Sequence, residues 1–141
     1  MKLLAYEVDK RSFLGVLNED ETWVYPVSAA GMEYRSMKDL IREAGPSEME
    51  MLDYISKKAP GDVMGAAPVD EIRVVSPIAE PDQDIICLGI NYMDHAEESA
   101  RFEKRAFEKP EKAIYFSKRV NRTNDPDGII PAHKNLTNQL D

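Results

Sequence analysis

The chain has 141 residues, 43% hydrophobic and 31% charged, a profile that excludes a disordered polymer and fits one folded domain, or one small domain with part of another. Its net charge of −8 argues against nucleic acid as a partner, and no apolar run approaches the roughly 18 residues of a membrane span. The N-terminus "MKLLAYEVDK" lacks the apolar centre of a secretory signal, and the single cysteine, Cys87, cannot pair within the chain, so a reducing, cytoplasmic setting is the expectation.

Residues 2–8 alternate, with Leu4, Tyr6 and Val8 on one face, and predict a strand. "SFLGVL" and "TWVYPV" predict two more, joined by the polar "NEDE", a connection of hairpin length. Ser36 is placed to cap a helix. Met37, Leu40, Ile41 and Ala44 follow at helical spacing, and Gly45-Pro46 ends the run. Ser47 with Glu50 three residues on predicts a capping box for a second helix. Leu52, Ile55 and Ala59 would form its apolar face before Pro60-Gly61 stops it. Met37, Met49 and Met51 read as core filler.

"APGDVMGAAP" has the composition of a hinge. It divides the chain into a small N-terminal domain, residues 1–68, and the beginning of a second domain, residues 69–141. In that second part "EIRVVSPI" predicts a strand closed by Pro77, and "AEPDQD" a turn. "DIICLGI" is a nearly continuous apolar run, the pattern of a strand buried on both faces, with Cys87 as a small buried hydrophobe. "IYFS" predicts one more strand, and "NDPDGIIPAHKNLTNQLD" a loop. A strand buried on both faces needs neighbours on both sides, because unpaired buried backbone groups are costly. The expectation is a chain that forms the front of a larger protein, or one completed by another chain.

The chemistry-bearing residues cluster directly after that apolar run. In "CLGINYMDHAEES", residues 87–99, the strand ends at Gly89, a residue suited to an unusual backbone conformation or to the close approach of another backbone. Asn91, Tyr92, Asp94, His95, Glu97 and Glu98 follow within eight positions. If Asp94 caps a helical turn, His95 and Glu98 lie three apart on one face. A glutamate so placed orients an imidazole and raises its basicity, and the pair can activate water or take a proton from a substrate. The same spacing also suits an ordinary surface ion pair. Asp94, His95 and Glu98 are of metal-ligand types, but no H-E-x-x-H spacing is present, nor a phosphate-binding loop, a G-x-G-x-x-G or a G-x-S-x-G. Residues 101–122 hold eight basic residues against three acidic ones. That run reads either as a solvated face or as a local positive field that draws in a small anion. His133, in "PAHKNL", reads as structural or solvent-facing.

"DIICLGINYMDHAEES", followed by "AIYFSKRVNRTNDPDGIIPAHKNLTNQLD", resembles the fumarylacetoacetate hydrolase family. Gly89, Asn91, Tyr92, His95 and Glu98 match the family's G-x-N-Y-x-x-H-x-x-E turn. Phe116 and Lys118 match the segment that ends F-x-K, and Pro131 lies in the loop beyond it. The likeness covers residues 72–141. Residues 1–65 are similar, more weakly, to the small N-terminal domain of many members. The resemblance implies a β-rich α/β (α+β) fold built on a rolled mixed sheet, usually dimeric. It implies Mg²⁺, Mn²⁺ or Ca²⁺ held by carboxylates, and a small anionic 2-oxo acid as substrate: C–C hydrolysis of an acylpyruvate or β-diketo acid, or an oxaloacetate-type decarboxylation or dienoate isomerisation. It makes His95 the general base and Glu98 its orienting partner. Asn91, Tyr92, Phe116 and Lys118 would line the substrate site, and Asp94 would lie near the metal. The family's principal metal ligands, an E-x-E on a strand expected just past Asp141, are not in the sequence. The 141 residues alone are therefore expected to have little metal affinity and no activity. A catalytically inactive fragment or partner-binding module is the competing expectation.

Overall fold

The computed structural model describes residues 1–89 and 112–136. It is an α+β structure, as the sequence implies. β1 (Leu3–Val8) and β2 (Arg11–Leu17) form an antiparallel hairpin in which Tyr6 faces Phe13. Their rings stack with centroids 5.6 Å apart. The turn residues Asp9 and Lys10 both take positive φ, 50° and 62°. That pair of values gives a two-residue turn the twist of its strands. β3 (Trp23–Pro26) pairs antiparallel with β2 across the polar connection at 18–22, where the Asn18 side chain accepts the backbone N–H groups of Thr22 and Trp23.

The helices follow. α1 (Met37–Glu43) begins where Ser36 Oγ accepts the Asp39 N–H at 3.1 Å, as its sequence predicts. α2 (Pro46–Ser56) differs from expectation at its start. Gly45, not Ser47, is the cap residue, and Glu48 reaches back to accept the Gly45 N–H at 3.1 Å. Pro46 is the reason. Its fixed φ and missing donor suit the first helical position, so the helix begins there rather than two residues later. Met37, Leu40, Leu52 and Ile55 bury themselves against Val16, Tyr25 and Val27. Met49 packs against the same core, but Met51 and Ile41 are exposed and are not core filler.

The Gly/Ala/Pro stretch does not behave as a hinge. Val63 is buried, and β4 (Ala67–Pro68) pairs with β3. β5 (Arg73–Val75) then pairs with β1 at the opposite edge, so the sheet order is β4-β3-β2-β1-β5, antiparallel throughout. The two edge strands are consecutive in sequence and only Val69–Ile72 separate them. The sheet must therefore curl back on itself. Its inner face buries Leu4, Tyr6 and Val24 against Val8, Leu17, Ile72 and Val74; its outer face carries the helices.

The chain divides into two units, residues 1–79 with 123–141, and residues 80–122. In the second, β6 (Ile85–Gly89) pairs antiparallel with β7 (Ile114–Lys118) as a two-stranded ribbon. The strands fall where the sequence places them, but β6 is not buried. Ile86 is 70% exposed and Leu88 47%, and Cys87 is half-buried. Apolar residues on both faces with a single described neighbour leave the ribbon's side chains open. Residues 123–136 hold turns but no helix or strand, as expected of "NDPDGIIPAHKN".

Candidate functional site

The register of the ribbon fixes what it presents. Phe116 stands opposite Cys87, and Lys118 opposite Ile85. Side chains alternate along a strand, so Ile114, Phe116 and Lys118 share one face, and Tyr115 and Ser117 the other. Phe116 and Lys118 are both exposed. The face thus offers an apolar ring beside a cation, a pairing suited to a small organic anion. Gly89 closes β6 without a left-handed backbone, and a Cβ there would lie 3.5 Å from Ile114, an ordinary contact. Among the described residues, neither a strained backbone nor a close backbone approach explains it, which differs from its sequence reading.

Asn91, Tyr92, Asp94, His95 and Glu98 lie outside the described residues. Among the described residues, no group of three or more His, Cys, Asp or Glu side chains could hold a metal ion. The described part of the chain does not itself fit the divalent metal that the resemblance implies. His133 is exposed, with φ of 43°, in agreement with its solvent-facing reading. Among the described residues no helix is long and apolar enough to cross a membrane.

Sequence reasoning did not find the polar network at the end of the curled sheet. Arg73 on β5 donates to Glu7 on β1 at 2.7 Å and to Asp125 at 2.7 Å. Glu7 and Arg73 are register partners, so the first pair is a cross-strand ion pair. Asp125 also accepts the Ser76 N–H at 2.9 Å. A recess of about 590 Å³, lined by Arg73, Asn124, Asp125 and Gly128 among others, opens beside it. Its one guanidinium is already shared between two carboxylates, so the recess has little left with which to bind an anion. Arg73 and Asp125 are 52 residues apart, beyond any local spacing rule.

No protein-family model matches the chain. Over an alignment of 151 residues it is 28% identical to the oxaloacetate tautomerase YisK of Bacillus subtilis, covering all of this chain and 48% of that protein. It is 25% identical, with the same coverage, to the uncharacterized protein SERP0556 of Staphylococcus epidermidis. The chain spans about half the length of the curated relatives it matches. The similarity to a protein named as an enzyme runs through the whole chain, including the segment with His95 and Glu98.

Proposed function

We propose that the chain is the N-terminal part of a fumarylacetoacetate hydrolase family enzyme acting on a small 2-oxo acid, with oxaloacetate the leading substrate and keto–enol proton transfer the leading reaction. The whole-chain similarity to a protein named oxaloacetate tautomerase carries this reading. The sequence supports it through the match of Gly89, Asn91, Tyr92, His95 and Glu98 to the family's turn.

In this reading His95 takes a proton from carbon 3 of the oxo acid. The C–H electron pair becomes the C2–C3 double bond, and the carbonyl oxygen takes up a proton to give the enol. The reverse sequence regenerates the keto form. A base with a pKa near the working pH typically contributes about 10²–10⁴ in rate. Glu98 accepts from the other ring nitrogen and keeps the imidazole basic. Lys118 meets a substrate carboxylate, Phe116 covers the apolar side, and Asn91 and Tyr92 supply hydrogen bonds. Hydrolysis of an acylpyruvate C–C bond is the second reading; it uses the same pair to activate water.

Mg²⁺ or Mn²⁺, with Ca²⁺ as the further candidate, is the proposed cofactor of the intact protein, with Asp94 as a contributor. It would polarise the 2-oxo carboxylate group. A homodimer in the cytoplasm completes the proposal.

The test uses full-length protein. Enol–keto conversion of oxaloacetate is followed by ultraviolet absorbance, beside a panel of acylpyruvates and β-diketo acids, with each divalent metal and with excess chelator. Turnover of oxaloacetate that falls on chelation is the expected result. Inactivity over the whole panel with every metal overturns the enzyme reading and leaves the partner-binding module. Full activity in chelator removes the metal.

A further inference from the structure

Segment 80–122 leaves the first unit at Ala79 and returns to it at Thr123, and these two ends are tied together. The Thr123 N–H donates to the Ala79 carbonyl at 2.9 Å. The Thr123 hydroxyl donates to the Ile78 carbonyl at 2.8 Å, and its oxygen lies 2.5 Å from the Ser76 hydroxyl. A threonine hydroxyl has one proton to give. With that proton on Ile78, Ser76 must donate to Thr123, so the bonds form a directed chain from Ser76 through Thr123 to Ile78. Ser76 is only 9% exposed, so an unmet hydroxyl there would be costly. Asp125 completes the arrangement by accepting the Ser76 N–H and one arm of Arg73.

Short connectors join these ends to the ribbon. β6 begins at Ile85, six residues beyond Ala79, and β7 ends at Lys118, five residues before Thr123; Ile85 and Lys118 are register partners. Segment 80–122 is therefore closed twice along the chain, by the β6–β7 ladder and, at its two ends, by the Ser76–Thr123–Asp125 group. None of these three residues belongs to either hydrophobic core. Their loss should loosen the ends of the segment rather than the curled sheet.

We propose that Ser76, Thr123 and Asp125 form a clasp that holds the two ends of segment 80–122 together, and so restrains the connectors of the strand pair that carries Lys118 for the anionic substrate. Thr123 is a positioning residue and touches no substrate. The link to substrate rests on the proposed function; the clasp itself does not. Thr123→Val keeps the shape but removes the donor and acceptor, leaving the Ile78 carbonyl and Ser76 hydroxyl unmet. The connectors to the ribbon then regain conformational freedom.

Hydrogen exchange of the full-length protein, read peptide by peptide, tests this. In Thr123→Val, amides of β6 and β7 should exchange roughly tenfold faster while those of β1–β3 stay unchanged, the scale of one lost hydrogen bond. Ser76→Ala should do the same in weaker form, and Thr123→Ser should restore protection. On oxaloacetate, Thr123→Val should raise KM about fivefold and leave kcat within about twofold. Unchanged exchange in β6 and β7, or equal loss throughout β1–β3, overturns the clasp. Faster ribbon exchange with unchanged KM overturns its role in substrate binding. A wild-type protein without activity on any 2-oxo acid sinks the enzyme reading alone, and the exchange pattern still decides on the clasp.

Discussion

Three residues of the curled sheet show how tightly single positions are set. A Cβ on Gly15 would lie 2.4 Å from Val24 Cγ2 and 2.8 Å from the Tyr6 ring, so both neighbours rest on a bare backbone. Gly15→Ala should destabilise the protein by about 1–3 kcal/mol, the usual cost of overpacking. An unchanged midpoint in chemical denaturation would contradict this account. Tyr6 and Tyr25 are buried, and burial pushes both phenols above the usual tyrosine range; nearby Asp20 and Asp62 push Tyr25 further. The Tyr25 hydroxyl donates to the Lys58 carbonyl at 2.8 Å. The folded state therefore holds these protons more tightly than the unfolded chain. Their stabilisation is complete below pH ~10 and is lost as pH rises through the folded values. Unfolding free energy measured from pH 8 to 11 should fall above about 10, and Tyr25→Phe should reduce that slope. An identical slope in the variant would remove Tyr25 from the alkaline transition. At the proposed site, His95→Ala should lower turnover of the full-length protein by about 10² or more, the typical worth of a general base. Equal kcat in variant and wild type would take His95 out of the mechanism.

Among the elements, α2 separates what a motif suggests from what the backbone chooses. Ser47 and Glu50 have capping-box spacing, yet Glu48 carries the cap. Hydrogen bonds from Ser47, from its own backbone and from Gly45 hold the Glu48 carboxyl below the usual glutamate range. Glu48→Ala should lower the melting temperature, because the Gly45 N–H loses its partner, and Glu50→Ala should leave it almost unchanged. A thermal melt in which Glu50→Ala is the more damaging of the two would restore the box predicted from sequence. The strands were the most legible elements. Alternation placed Leu4, Tyr6 and Val8 on one face, and the structure gathers them in the inner core of the sheet. The hinge reading of residues 59–68 was the least legible, because Gly, Ala and Pro also suit an edge strand and the tight turns beside it. Composition alone does not distinguish those uses.

For the whole molecule, the sequence by itself determined the α+β class and, in the first unit, β1–β3, β5 and the two α-helices. Each of these is written in short-range terms: a period of two or 3.6, a cap, or a turn with fixed spacing. Only tertiary structure decided the rest. β5 pairs with β1 across 66 residues in the Glu7–Arg73 bridge, and the short link from β4 to β5 forces the sheet to curl. Which residues stand opposite Phe116 and Lys118 needed a register, and the clasp joins Ser76 to Thr123 across 47 residues. The exposed β6 was misread for the same reason. An apolar run records that a strand prefers burial, but whether anything covers it depends on neighbours that a local pattern does not name. Hydrophobic periodicity is a property of one segment; pairing, closure and cover are properties of two.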